Sequence, residues 1–245
     1  MKAIILAAGR GSRMKSMTEA NPKCMVELYG EPLLQHQLRS LRKAGISEIA
    51  LVTGYRNTML QGYADAEFHN PRWNETNMVS SLAYAADWLR SGPCIISYSD
   101  IFYEPKAVTS LMSSDADLAI TYDPEWERLW TDRFGDPLLD AETFRLDKDG
   151  FLAEIGAEPG KLEDVEGQYM GLLRFTRRGW EEFDAMRATL SAAARDKLDM
   201  TSALQNVLDR GNIAVQAIPY EGKWGEIDSA EDLAVYNGGS RGAEG

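Results

Sequence analysis

The chain has 245 residues, 44% of them hydrophobic, enough to bury a sizeable core in one large α/β unit or two smaller ones. With 26 basic against 38 acidic residues the formal charge is −12, which argues against nucleic acid or an anionic membrane as the main partner. Two cysteines are too few for a disulfide scaffold and no apolar run reaches the roughly 18 residues that span a bilayer, so the expectation is a cytoplasmic protein.

The apolar start, Ala3 to Ala8, is too short for a secretory leader and ends in Gly9-Arg10-Gly11-Ser12-Arg13, so residues 2–8 read as a buried first strand. Leu34, Leu38 and Leu41 share a helical face over 33–44, Gly45 stops that helix, and a strand over 48–53 completes a βαβ unit. After a second short helix and strand, Met78, Leu82, Ala85, Ala86 and Leu89 give 77–89 helical spacing before a strand at 94–98 that ends in Ser99-Asp100. A strand at 117–122 follows. Residues 123–170 then break the rhythm with Trp, Pro, Gly and acids, and read as an insertion over the site. Within it, 143–147 and 151–155 flank the turn Lys148-Asp149-Gly150 as a hairpin. Strands at 168–175 and 213–218 and a helix at 230–236 complete the core, leaving 237–245 as a frayed tail. The alternation predicts a Rossmann-like α/β fold: a mostly parallel central sheet flanked by helices, with an inserted substrate-binding lid and hairpin, in one domain over 1–236.

A glycine-rich turn after a first parallel strand can aim backbone N–H groups at phosphate oxygens. Met14 stands where a dinucleotide fingerprint needs its third glycine, and no GxxxxGK[ST] loop is present. A lone Gly-x-Gly is as readily a plain tight turn. The local charge favours a polyanion: residues 1–23 carry Lys2, Arg10, Arg13, Lys15 and Lys23 against the single acid Glu19. A bound polyphosphate asks for charge neutralisation, commonly by Mg²⁺ on carboxylates. Asp100 follows a strand end, where ligands of open α/β sheets collect, and Glu226 and Asp228 share one face if their segment is extended. The plain alternatives are a turn aspartate and a helix cap. His36 and His69 read as structural.

The run Lys2 to Met14, with Pro22-Lys23 after it, resembles the nucleotide-binding signature of the sugar-phosphate and phosphocholine nucleotidyltransferases. That resemblance implies that Arg13 and Lys23 are catalytic, holding the triphosphate and the charge that builds at the α-phosphorus, with Arg10 and Lys15 secondary. It places Leu6, Ala7, Ala8, Gly9, Arg10, Gly11 and Ser12 at the nucleotide, and Asp100, Asp228 and Glu226 on Mg²⁺. Met14-Lys15-Ser16-Met17-Thr18 departs from the Leu-x-Pro-Leu-Thr-like run of the family, so a role for Lys15 is not carried over from it. The stretch Asn77-Met78-Val79-Ser80-Ser81 looks like the Asn-x-x-Ser-Ser of cytidylyltransferases and implies CTP, with Asn77 and Ser81 at the base; helix capping by Thr76 or Asn77 is the competing reading. The passages around Trp126 to Leu138, Asp140 to Phe144 and Gly167 to Gly171 are similar to phosphonate cytidylyltransferases. They imply an acceptor such as 2-aminoethylphosphonate, held by Trp130, Arg133, Asp136, Asp140, Glu142 and Lys161, since aromatic faces and carboxylates suit an ammonium group. A phosphocholine cytidylyltransferase, a sugar-1-phosphate nucleotidyltransferase and a non-catalytic nucleotide-binding regulatory module stay open, as does a homodimer.

Overall fold

The structure is a computed structural model that describes residues 1–11, 14 and 18–238. In chain order, β1 (Lys2–Ala7) leads through a 3-10 turn at Lys23–Met25 into the short strands β2 (Glu27–Leu28) and β3 (Glu31–Pro32), then α1 (Leu33–Lys43) and β4 (Glu48–Thr53). Next come β5 (Ala66–His69), α2 (Met78–Leu82), α3 (Ala86–Ser91), β6 (Cys94–Tyr98), β7 (Ile101–Tyr103), α4 (Pro105–Met112) and β8 (Leu118–Asp123). They are followed by α5 (Trp126–Phe134), β9 (Phe144–Leu146), β10 (Leu152–Ile155) and β11 (Gln168–Phe175). The chain closes with α6 (Arg177–Ala188), α7 (Ala192–Lys197), α8 (Met200–Arg210), β12 (Val215–Pro219), β13 (Trp224–Glu226) and α9 (Ala230–Gly238).

Seven strands form the central sheet in the order β12-β8-β11-β6-β1-β4-β5. All neighbours run parallel except β11, which is antiparallel to both β6 and β8. The inner strands are near-continuous apolar runs because helices cover both faces: Ala3, Ile4 and Ile5 of β1 and Ile95 and Ile96 of β6 are fully buried. The expected α/β fold with a mostly parallel sheet is therefore present.

Three local elements differ from the sequence reading. The helix expected over 77–89 is interrupted by a 3-10 turn at Ala83–Ala85, which still leaves Leu82, Ala85 and Leu89 fully buried. Residues 176–212, not assigned from sequence, form α6 to α8, capped by Thr176, Ser191 and Asp199, whose side chains accept the N–H groups of Gly179, Ala194 and Ser202. Trp180 and Phe183 of α6 pack under Phe175 of β11. Of the expected tail, 237 and 238 continue α9, and the remainder lies outside the described residues.

Residues 123–170 fold as α5, a 3-10 turn at Pro137–Leu139, the antiparallel hairpin β9–β10 and the start of β11. Trp126, Trp130, Phe144, Leu152 and Ile155 join the same core as the sheet. A second, small core gathers Met14, Val26, Leu28, Leu33, Phe102, Ile227 and Leu233 beneath the antiparallel pair β7–β13. That pair sets Glu226 opposite Ile101, and the N–H of Ile227 donates to the carbonyl of Asp100 at 2.9 Å. Two distant stretches of sequence thus meet at one point.

Candidate active site

At that point Asp100, Glu226 and Asp228 each bring a carboxylate oxygen within 4.8 Å of the others. Lys23 sits among them, with Nζ donating to Asp100 Oδ2 at 2.6 Å and to Asp228 Oδ1. Burial alone would lower the Lys23 pKa, but Asp100 and Asp228, then Glu226, outweigh it and hold the ammonium above its usual range. Burial first, then the charges of Asp228 and Asp100, push Glu226 up to about 8 from an ordinary 4.5, although 22% of its side chain stays open to the cavity. Asp100 Oδ1 is buried with no hydrogen-bond partner among the described residues. Converging carboxylates with an unsatisfied buried oxygen are the hard-oxygen donor set that a divalent cation such as Mg²⁺ takes, so these residues fit one.

On one side of the cluster lies a cavity of about 200 Å³ lined by Leu6, Ala8, Gly9, Gly11, Lys23, Asn77, Ser81 and Asp100. Its floor follows from local backbone chemistry. Gly11 has φ of +70°, and a Cβ there would stand 2.8 Å from Cβ and Cγ of Lys23, so only glycine lets the lysine stem pass under the turn. The Thr18 hydroxyl donates to the Gly11 carbonyl at 2.8 Å. On the far wall Asn77 Oδ1 accepts from Met78 N at 2.7 Å as the cap of α2, and its Nδ2 donates to the Lys197 carbonyl. Ser81 Oγ accepts from Asn70 Nδ2 at 2.9 Å, which leaves its proton for another acceptor.

On the other side is a cavity of about 320 Å³ whose aromatic lining is Tyr98, Trp130, Phe144 and Tyr169. Its acids are Asp140, Glu142 and Asp199, beside Glu226 and Asp228, and no lysine or arginine lines it among the described residues. Burial, then Asp199 and Asp140, raise the Glu142 pKa. Met78 and Tyr98 border both cavities, and the carboxylate cluster lies where they adjoin.

Comparison with known proteins places this geometry. The MobA-like NTP transferase domain model matches residues 3–195. The chain belongs to that family. It is a nucleotidyltransferase, and relatives that align along its length carry cytidylyltransferase names. It is 37% identical to the CTP:phosphoglutamine cytidylyltransferase of Campylobacter jejuni, over 96% of this chain and 98% of that one. It is 24% identical to the 2-aminoethylphosphonate cytidylyltransferase of Lancefieldella rimae, over 97% and 92%. In fold it is similar to the inositol-1-phosphate CTP transferase from T. maritima, with a TM-score of 0.76 across 100% of this chain and 98% of that one at 18% identity.

Within this nucleotidyltransferase the structure brings Leu6, Ala8, Gly9, Gly11, Lys23, Asn77, Ser81 and Asp100 to one cavity, and Trp130, Asp140, Glu142, Glu226 and Asp228 to the other. It separates several expected residues from both. Ala7 is in the core, because alternate residues of β1 face opposite ways. Arg10 is exposed, its guanidinium 5.7 Å from the Tyr55 ring. Ser12, Arg13 and Lys15 lie outside the described residues. Arg133 does not reach the acceptor cavity: its side chain is wholly buried against Asp232 and Glu226, which satisfy it. Asp136 is exposed and caps the 3-10 turn by accepting from Leu138 N, and Lys161 is an exposed loop residue, so neither lines the cavity. His36 and His69 bond to Leu28 and Thr53 and line neither cavity. Sequence reasoning missed Asp199 and Thr201 on the acceptor wall. The capping pattern Asp199-x-x-Ser202 was the signal that could have placed them at a helix start.

Proposed function

We propose that the protein is a CTP-dependent cytidylyltransferase that couples CMP to a small phosphonate or phosphoryl acceptor carrying an ammonium group, releasing pyrophosphate. One observation carries the reading: two cavities adjoin at the Lys23, Asp100, Glu226 and Asp228 cluster, where the α-phosphorus of a nucleotide in the first would face an acceptor in the second. An acceptor oxygen attacks the α-phosphorus in line, the new O–P bond forms as the bond to the bridging oxygen breaks, and that oxygen leaves with pyrophosphate. Mg²⁺ held by Asp100, Asp228 and Glu226 would supply charge neutralisation for the triphosphate. Lys23 contributes its ammonium charge at the same place, and Arg13 is proposed to act with it on the triphosphate. Gly9 and Gly11 offer backbone N–H groups to the phosphates, and Ser81 offers its free proton to the cytosine edge.

For the acceptor, a wall of carboxylates and aromatic rings with no lysine or arginine on it among the described residues suits a primary ammonium, which donates charge-assisted hydrogen bonds from all three N–H groups. On that ground 2-aminoethylphosphonate is the first candidate. Phosphoglutamine is the second reading, favoured by the 37% identity that runs almost end to end. A pyrophosphate-release assay crossing CTP, UTP and dTTP with 2-aminoethylphosphonate, phosphoglutamine, phosphocholine and glucose-1-phosphate tests this. The expected result is turnover with CTP and an amine-bearing acceptor; preference for the sugar phosphate, or for UTP, contradicts it.

A further inference from the structure

Arg133 lies in the last turn of α5, and its side chain has no solvent exposure. A buried guanidinium is tolerated only where its donors are satisfied. Here Nε and Nη2 reach Asp232 Oδ1 and Oδ2 at 2.8 and 3.3 Å, and Nη1 reaches Glu226 Oε2 at 3.1 Å. The rings of Trp130 and Phe134 stand 5.1 and 4.8 Å from its central carbon. Asp232 is also held from its other side. Its Oδ2 accepts the N–H groups of Asp228 and Ser229 at 2.8 and 2.9 Å, while its own N–H donates to Ser229 Oγ at 3.1 Å, a capping box at the start of α9. One guanidinium therefore sets both the backbone that carries Asp228 and the charge environment of Glu226 beside it.

We infer that Arg133 is a positioning residue for the metal-holding carboxylates, pinning residues 226–229 through Asp232 and offsetting the charge of Glu226 so that Asp228 faces Asp100. This rests on the reading of Asp100, Glu226 and Asp228 as the Mg²⁺ site. Arg133 touches neither substrate: it lines neither cavity. Without it, Glu226 loses its guanidinium partner while Lys23 still pairs with Asp228, and Asp232, which holds the N–H groups of Asp228 and Ser229, loses its tie to α5, while the surfaces that contact nucleotide and acceptor stay in place.

Arg133→Lys keeps a positive charge but cannot bridge two carboxylates in a planar fork, and Arg133→Met keeps only bulk. The measurement is Mn²⁺ binding to each folded, ligand-free variant, read from loss of the free-ion EPR signal, alongside Mg²⁺ titration of turnover. Arg133→Met is expected to weaken Mn²⁺ binding about tenfold or more and Arg133→Lys less, the usual scale for a residue that orients metal ligands. At saturating metal, KM for CTP and for the acceptor should stay within about threefold of wild type. Unchanged Mn²⁺ affinity in folded variants overturns the inference, as does an effect confined to the acceptor KM. If Arg133→Met does not fold, Arg133→Lys decides. Asp100→Asn and Asp228→Asn separate the two levels: wild-type metal binding and turnover there removes the metal reading itself, whereas loss there with normal binding in the Arg133 variants removes only the role of Arg133.

Discussion

Lys23 and Glu226 show how the charge of the site is set by neighbours more than by residue type. Lys23 stays ionised because Asp100 and Asp228 face it, and Glu226 takes up a proton near pH 8 because burial and two acids disfavour its anion. A raised carboxylate pKa means that the folded chain binds a proton that the unfolded chain has released, so stability falls as pH rises from about 4.5 to about 8 and levels off above. In the metal-free protein, Glu226→Gln should flatten that fall, by a few kcal/mol across the window. Urea denaturation of both proteins at pH 5, 6.5 and 8 checks it, and parallel curves for wild type and variant would show that Glu226 titrates normally. Lys23, Asp100 and Asp228 were legible through the family resemblance and not through spacing alone, and the structure brings the three together. Arg133, Asp136 and Lys161 were not, because composition shows that a segment is charged but not which way each side chain points. Asp232, which occupies the Arg133 guanidinium, lies about a hundred residues away in sequence.

Among the elements, the long buried strands and the β9–β10 hairpin were legible, and the short strands β2, β3, β7 and β13 were not. β4, β6 and β11 have the bounds expected from their apolar runs. β7 and β13 have three residues each, too few for any periodicity, yet their pairing is what joins Asp100 to Glu226. Gly225 is the tight point of that pair: a Cβ there would stand 2.3 Å from the Tyr236 hydroxyl oxygen, which accepts the N–H of Glu226, and 2.7 Å from Phe102 Cε1. Gly225→Ala should cost about 1–3 kcal/mol by overpacking, and should lower turnover by more than the loss of folded protein accounts for, because the strand bearing Glu226 must shift. Urea midpoints and specific activity of the folded fraction test this; wild-type values of both would show that the junction is looser than its packing implies.

Over the whole molecule, an acidic chain of net charge −12 brings Lys23 and the Gly9 to Gly11 turn that follows β1, an inner strand of the sheet, to the carboxylates of Asp100, Glu226 and Asp228. No helix among the described residues is long and apolar enough to cross a membrane. The core shared by the sheet, α5 and the β9–β10 hairpin supports the proposal that residues 1–236 act as one unit with 123–170 as the acceptor lid. The acidic aromatic lining of that lid is the basis for an amine-bearing acceptor. Transfer of CMP to such an acceptor, as proposed, can be followed by ³¹P NMR of the enzyme with CTP, Mg²⁺ and 2-aminoethylphosphonate or phosphoglutamine. The expected result is a new pair of mutually coupled phosphorus resonances, formed in step with pyrophosphate by the wild type and absent with Asp100→Asn. Pyrophosphate appearing with uncoupled CMP, or no consumption of CTP with either acceptor, would contradict it.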